Sequence, residues 1–406
     1  MQSSLCCETL WLVRTAGIVM RGALRPIKPL PRRLIPVSVR HTTSDSQAGA
    51  QLQLDNQQPP SDVQKPPFGF LKGCRLRTPH GIWDSRNIHS LLRALGDHLD
   101  LAHSPNMKLL PGFQQASFNL LLNESLLCED GADARYVPGE GWKFRVWVGG
   151  RMHFSMPWTH WSMEDNSDVC TVEKVSDIKI TGDLANEDTK VMITLTKDYF
   201  PGQKFQNKGS FKWSPKKHTL PYVTEKKHLC FMRKVPASLR SVDVRRKIAP
   251  PVEPFHAQTM VPSPALLFRF SAISKNDHRI HLDTEFTQRV YGIPKLLVHG
   301  PLTAVLMLEV LRKGLEIYAG AGPSTYAVEH FQYKNLMPLF VDEKITIACK
   351  KSDTSNSDDE QSTSKPAGPE ERWQVWIQKG EGENTTLAVR GKAIVTVHSK
   401  EGRYGV

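Results

Sequence analysis

The sequence predicts an α+β fold in which antiparallel strands bend around a long buried helix. Three observations lead there. Residues 301–312 are apolar almost all round, which is the pattern of a helix enclosed on most sides. Segments of alternating apolar and polar residues lie before and after it, with the period of two that marks strands. The 406 residues also exceed what one such unit needs, at roughly 100–200 residues per domain.

The elements follow in order. Residues 86–103 place Ile88, Leu91, Leu92, Leu95, Leu99 and Leu101 on a helical stripe. Pro111-Gly112 then separates a second apolar segment, 113–122. From residue 143 the period changes to two. Residues 143–154 read as a strand broken at Gly149-Gly150, a bulge or a close backbone approach. Residues 171–181, 190–196 and 228–233 read as further strands, and the Pro-containing stretch up to Pro264 as a connection. The second half restarts with a strand at 266–272, a polar loop at 274–283, and the buried helix, with Pro301 in its first turn where the missing N–H costs nothing. Strands at 326–336, 343–350, 373–379 and 387–397 complete it. One long helix wrapped by a strongly bent antiparallel sheet is a hotdog fold.

Composition bounds the rest. Residues 1–43 carry Arg14, Arg21, Arg25, Lys28, Arg32, Arg33 and Arg40 against Glu8 alone, so half of the net charge of +12 sits in this leader. Such an Arg-rich, acid-poor segment is the signature of a mitochondrial transit peptide, which places the mature protein in the mitochondrial matrix. The remaining charge does not call for a nucleic-acid partner, and no nucleic-acid-binding motif accompanies it. No run reaches the roughly 20 apolar residues of a membrane span. Seven scattered cysteines without a C-x-x-C pair fit reduced thiols. Residues 44–66 and 351–371 are polar and low in complexity, the first a disordered linker and the second a disordered insertion. The expected domains are 67–255, with a basic connection at its end, and 256–400, which carries the insertion.

Chemistry concentrates in Asn276-Asp277-His278-Arg279-Ile280-His281 and in Val298-His299-Gly300-Pro301. A histidine accepts and returns a proton near neutral pH without large tuning. A glycine before a buried helix lets a carbonyl approach the helix N-terminus, whose N–H groups and dipole favour developing negative charge. His281 and Gly300 thus suit a reaction in which a carbonyl oxygen gains charge as a neighbouring proton leaves.

These residues resemble the MaoC-like hydratases, whose motif is Asp-x-Asn-Pro-Leu-His. The closer likeness is to the branch with fungal mitochondrial 3-hydroxyacyl-thioester dehydratases type 2 and mesaconyl-C4-coenzyme A hydratase, which reads Asn-x-His-Arg-Ile-His. Leu109-Leu110-Pro111-Gly112, Glu129-Asp130-Gly131, Phe144-Arg145-Val146-Trp147-Val148-Gly149-Gly150 and the 331–340 segment match the branch as well, so the resemblance covers roughly 85–400.

The resemblance implies a tandem, or double, hotdog and a hydro-lyase that interconverts (3R)-3-hydroxyacyl and trans-2-enoyl thioesters without metal or redox cofactor. It assigns His281 as the catalytic base, Gly300 to the thioester oxygen, and Asn276, in place of the wider family's Asp, to orienting water. Asp277 is the rival acid, His278 and His299 are read as structural, and Asp283 as a helix cap. The first half, lacking such a loop, would hold the acyl tail. The carrier is expected to be acyl carrier protein in type II fatty acid synthesis; the basic residues between Lys208 and Lys247 read first as a solvated face, with docking of that acidic carrier as the alternative. A coenzyme A-linked dicarboxylic or branched (mesaconyl-like) enoyl hydratase is the alternative, favoured if Arg or Lys line the acyl tunnel. A non-catalytic acyl-binding protein is the second. The assembly is expected to be a monomeric pseudo-dimer or a homodimer.

Overall fold

Each half of the chain lays down five strands and orders them in one way. The computed structural model describes residues 85–102, 110–142, 144–155, 168–201, 220–240, 247–320, 324–352 and 370–399, with the strand at 75–82 and residues 68 and 71. The leader, the linker and most of the insertion lie outside these residues. So do Lys208, Lys212, Lys216, Lys217, Arg245 and Arg246 of the basic connection.

The first half runs β1 (Arg75–Ile82), α1 (Ser85–Gly96), α2 (Gln114–Ser117), β2 (Phe144–Phe154), β3 (Asp168–Thr181), β4 (Lys190–Pro201) and β5 (Val223–Met232). The second runs β6 (His256–Met260), α3 (Pro264–Ser274), α4 (Thr284–Tyr291), α5 (Gly300–Ala319), β7 (Ser324–Asn335), β8 (Ile345–Lys351), β9 (Glu370–Lys379) and β10 (Thr386–Ser399). The ten-stranded sheet has the order β1-β3-β4-β5-β2-β7-β10-β9-β8-β6. Read inward from either edge, both halves give first, third, fourth, fifth and second strand. Every neighbouring pair is antiparallel, and the two second strands, β2 and β7, form the seam. This is a double hotdog, with the helices of each half between its first and second strands.

The second half owes its core to α5. Residues 302–311 are all buried, against Trp373, Val375 and Ile377 of β9 and Ile345 and Ile347 of β8. Glu309 interrupts the apolar surface, and Arg312 one turn later meets it at 2.6 Å. Among the described residues, the corresponding place in the first half holds the four-residue α2. No helix of the described residues is long and apolar enough to cross a membrane.

One second-half reading changes, and a stretch without a reading proves helical. The apolar run at 266–272 is not a strand but the middle of α3. Ser263 caps that helix by accepting the Leu266 N–H at 3.1 Å, and Pro264 begins it. The stretch after the polar loop is helical too: Asp283 caps α4 through the Phe286 N–H (2.9 Å), and Gly292 ends it in the left-handed region. The Gly149 position is a bulge, since β2 shifts register against β5 between Trp147 and Gly149.

Candidate active site

The polar loop turns sharply after α3. Lys275 caps the helix in the left-handed conformation, and Asn276 Oδ1 accepts the His278 N–H at 3.2 Å. A 3-10 turn, Arg279–His281, follows. The turn is pinned from two sides. From the first half, Gly131 (φ +77°) packs so closely that a Cβ there would overlap the Asp277 carbonyl oxygen, and the Asp130 carbonyl accepts the Arg279 N–H at 2.7 Å. From the second half, Leu297 donates its N–H to the Ile280 carbonyl at 3.0 Å, and its own carbonyl receives His281 Nδ1 at 2.7 Å.

That last bond decides the tautomer of His281. A carbonyl only accepts, so the proton is on Nδ1 and Nε2 carries the free lone pair. His281 is buried, and burial, reinforced by His278 and opposed by the Leu297 carbonyl, holds its pKa down to about 3. The His299 ring stacks on it at 3.7 Å between centroids, and the His278 ring meets it edge-on at 5.5 Å. His299 exchanges a hydrogen bond with Ser271 Oγ at 2.8 Å, and burial keeps it neutral. His278 donates Nε2–H to Asp130 Oδ2 at 3.0 Å; the Tyr291 hydroxyl (2.8 Å) and the Ala132 N–H (3.0 Å) complete the shell of that carboxylate. Although burial alone would raise Asp130, these donors hold it well below the usual carboxylate range.

Gly300 opens α5, and its closeness to the opposite wall is visible in one contact. A Cβ at Gly300 would stand 2.7 Å from Cβ and Cγ of Trp147, the residue at the β2 bulge. The helix's first N–H groups have no carbonyl one turn earlier to bind them. Asn276, His281 and Gly300 line one cavity of about 1000 Å³, together with exposed Asp277 and buried His278. Its far wall is first-half sheet, including Lys197, Lys227, Glu173 and Leu195.

The model of the family hydroxyacyl-thioester dehydratase type 2 matches residues 112–341, more than half of the chain. The chain belongs to the hydroxyacyl-thioester dehydratase type 2 family. Membership makes it a hydro-lyase.

Over 287 residues the chain is 26% identical to the mitochondrial hydroxyacyl-thioester dehydratase type 2 of Schizosaccharomyces pombe, covering 66% of this chain and 87% of that one. Over 91 residues it is 42% identical to the mesaconyl-C(4)-CoA hydratase of Chloroflexus aurantiacus, covering 22% of this chain and 29% of that protein. Among solved structures, a MaoC-like dehydratase from Phytophthora capsici aligns over 79% of this chain and 94% of its own, at 14% identity and a TM-score of 0.48. A Mycobacterium tuberculosis protein described as a double hotdog aligns over 82% and 98%, at 11% identity and a TM-score of 0.48.

Within this dehydratase the sequence-derived residues share one cavity, but several of their supports had not been singled out. Asp130 and Gly131 stand in the sequence only as a motif match; they fasten the 276–281 loop from the other half. Tyr291, Ser271 and Leu297 carry no recognisable sequence signal, since each acts through hydrogen bonds set by the fold. Asp283 is a cap, and Lys227 is no part of a solvated basic face: it is buried and paired with Glu173 at 3.3 Å.

Proposed function

We propose that the chain reversibly dehydrates (3R)-3-hydroxyacyl thioesters to trans-2-enoyl thioesters, with His281 as the single proton shuttle. The observation that carries this is the Leu297 carbonyl on His281 Nδ1, which leaves a basic Nε2 in a buried residue on the cavity wall that Gly300 shares. Nε2 takes the proton from C2, and the C2–H electron pair forms the C2–C3 double bond through an enolate whose oxygen receives the Gly300 N–H. The C3–O bond breaks, and the departing hydroxide takes the proton back from Nε2 and leaves as water. Asn276 orients that hydroxyl; it cannot itself titrate. A pKa of about 3 describes an imidazole that burial, with His278 beside it, keeps neutral; an anionic enolate oxygen next to it stabilises the protonated form.

Acyl carrier protein is the proposed carrier and the mitochondrial matrix the proposed place, supported by the Arg-rich leader and by the mitochondrial relative in Schizosaccharomyces pombe. The exposed Lys334 and Arg390, paired across β7 and β10 on the cavity's rim, suit the phosphate of a pantetheine arm. The β2–β7 seam supports a monomeric pseudo-dimer. Hydration of crotonyl-coenzyme A, followed as loss of enoyl absorbance, tests the reading. If purified His281→Ala protein kept a rate within threefold of the parent, His281 would not be the base.

A further inference from the structure

The outer face of the sheet carries a cluster of side chains, at one end of the seam, that the dehydration step does not use. β2 and β7 pair from Gly149 opposite Lys334 to His153 opposite His330, where their pairing ends. Met152 and Phe154 on β2 and Phe331 on β7 belong to the core. His153 and His330 alternate with them and so stand on the opposite face. Their rings stack, with centroids 4.3 Å apart and planes inclined by 13°.

A β-bulge brings a third group to the same place. Ile394 of β10 pairs with His330 and Val395 pairs with Val328, so Glu329 between them has no partner on that strand. The extra residue interrupts the alternation and re-aims its side chain. Glu329 and His330, although consecutive, thereby serve one face. The carboxylate is also oriented: Oε2 accepts the Thr396 hydroxyl at 2.8 Å. Oε1 stands 3.9 Å from His330 Nε2, too far for a hydrogen bond. Among the described residues, no hydrogen bond engages either imidazole. One nitrogen from each ring and a Glu329 oxygen lie within 4.8 Å of one another. All three side chains are half-buried, and none lines the cavity that holds His281.

Two imidazoles and one carboxylate form a donor set suited to zinc, whereas calcium and magnesium favour oxygen ligands alone. Bonds of about 2.0–2.1 Å to a tetrahedral ion put its donors about 3.3 Å apart. Small side-chain rotations therefore close this set on one ion, with water in the fourth position. The Thr396 hydroxyl is the kind of outer partner that fixes a ligating carboxylate. An ordinary cross-strand ring pair would account for the stacking, but not for a bulge that adds an aimed carboxylate. The charge of Arg151 is felt at His330 and opposes a cation there; Arg151 is exposed, so water and salt screen it.

We propose that His153, Glu329 and His330 bind one zinc ion, which ties the two halves of the sheet together at the end of the seam. His153 comes from the first half and the other two ligands from the second. Pulling the halves apart separates the ligands, so the ion adds to the stability of the paired state.

The full chain, freed of metal with a chelator, is titrated with zinc chloride and in parallel with cobalt(II) chloride. Zinc is expected to bind with a Kd of about 1 μM or tighter and to raise the melting temperature. Cobalt is expected to develop the visible absorption of a tetrahedral ion. Other histidines and cysteines of the chain also take up these metals, so the variants decide. His153→Phe keeps a ring in the stack but offers no ligand. It is expected to bind one ion fewer per chain and to lose the cobalt band and the zinc-dependent melting shift, while its metal-free hydration of crotonyl-coenzyme A stays at the parent rate. Thr396→Val, which frees the carboxylate, is expected to weaken zinc binding by about 10–100-fold. Equal stoichiometry and affinity in the parent and His153→Phe overturns the site, as does a parent without a cobalt band or a melting shift; His153 and His330 are then a stacked ring pair. Should His153→Phe fail to fold, Glu329→Gln takes its place, and unchanged zinc affinity in that variant overturns the site equally.

Discussion

The two halves of the sheet repeat one strand order but have been filled differently. The second wraps α5, twenty residues long, and buries residues 302–311 of it completely, leaving only its last turn exposed. The first has one turn, α2, in the equivalent place, and its inner face remains in part a cavity wall with charges on it. The full half supplies His281 and Gly300, which need a rigid frame. The empty half supplies room. Position and volume are thus divided between two copies of one architecture.

The largest test of this division is His281→Ala, which is expected to lower hydration of an enoyl thioester by about 10²–10⁴-fold, the usual contribution of an acid–base group. Melting temperature is expected to change much less, and a loss explained by unfolding would assign His281 to the frame instead. Gly300→Ala comes next. Its Cβ would press on Trp147 at 2.7 Å, so overpacking is expected to cost about 1–3 kcal/mol in denaturant unfolding. Trp147→Leu in the same chain is expected to recover part of that; no recovery would mean that the two halves do not meet at this point.

Asp130→Ala probes how the first half holds the catalytic loop. It leaves His278 Nε2–H and the Tyr291 hydroxyl without their acceptor, at about 1–3 kcal/mol for a buried group left unpaired. Stability below neutrality is a smaller effect. Burial lowers His278, His281 and His299 from the ordinary value near 6.5, so the unfolded chain binds protons there first. The contribution of these residues is fully present above about 6.5 and is lost as pH falls toward the folded value, about 3 for His281. Melting temperature should fall from pH 7 to 5, and His299→Phe, which keeps a ring on His281 but cannot bind a proton, should flatten the fall. A constant melting temperature over that range would mean that water already reaches these rings. The smallest effect is expected from replacing residues 353–369 by a short glycine-containing turn, because β8 and β9 pair up to Lys351 and Trp373 on their own. Unchanged activity and melting would agree; a large loss of either would show that the insertion contributes.

How far the sequence could be read follows from the same contrast. The full half is legible because residues 301–312 of α5 are apolar almost all round and Asn276, His281 and Gly300 stand in specific motifs. Even there α3 reads as a strand: Leu266, Leu267, Phe268 and Phe270 form a run too short for periodicity to separate helix from strand, and only the Ser263-Pro264 start signal points to a helix. The empty half was less legible because a missing helix leaves no pattern. Lys197 did carry a signal, since it falls in phase with Val191, Ile193 and Leu195. Alternation reveals that a strand has two faces; it does not tell whether protein or a ligand covers the inner one.

The β2–β7 seam also has a consequence for inheritance. When two separate copies of one gene product pair in this way, every mutation appears twice, so a change that improves the tail site also alters the catalytic site of the other copy. Here the paired strands belong to one chain, and each half mutates alone. The first-half wall of the cavity and the 276–281 loop of the second half can therefore be selected separately, although both line one cavity.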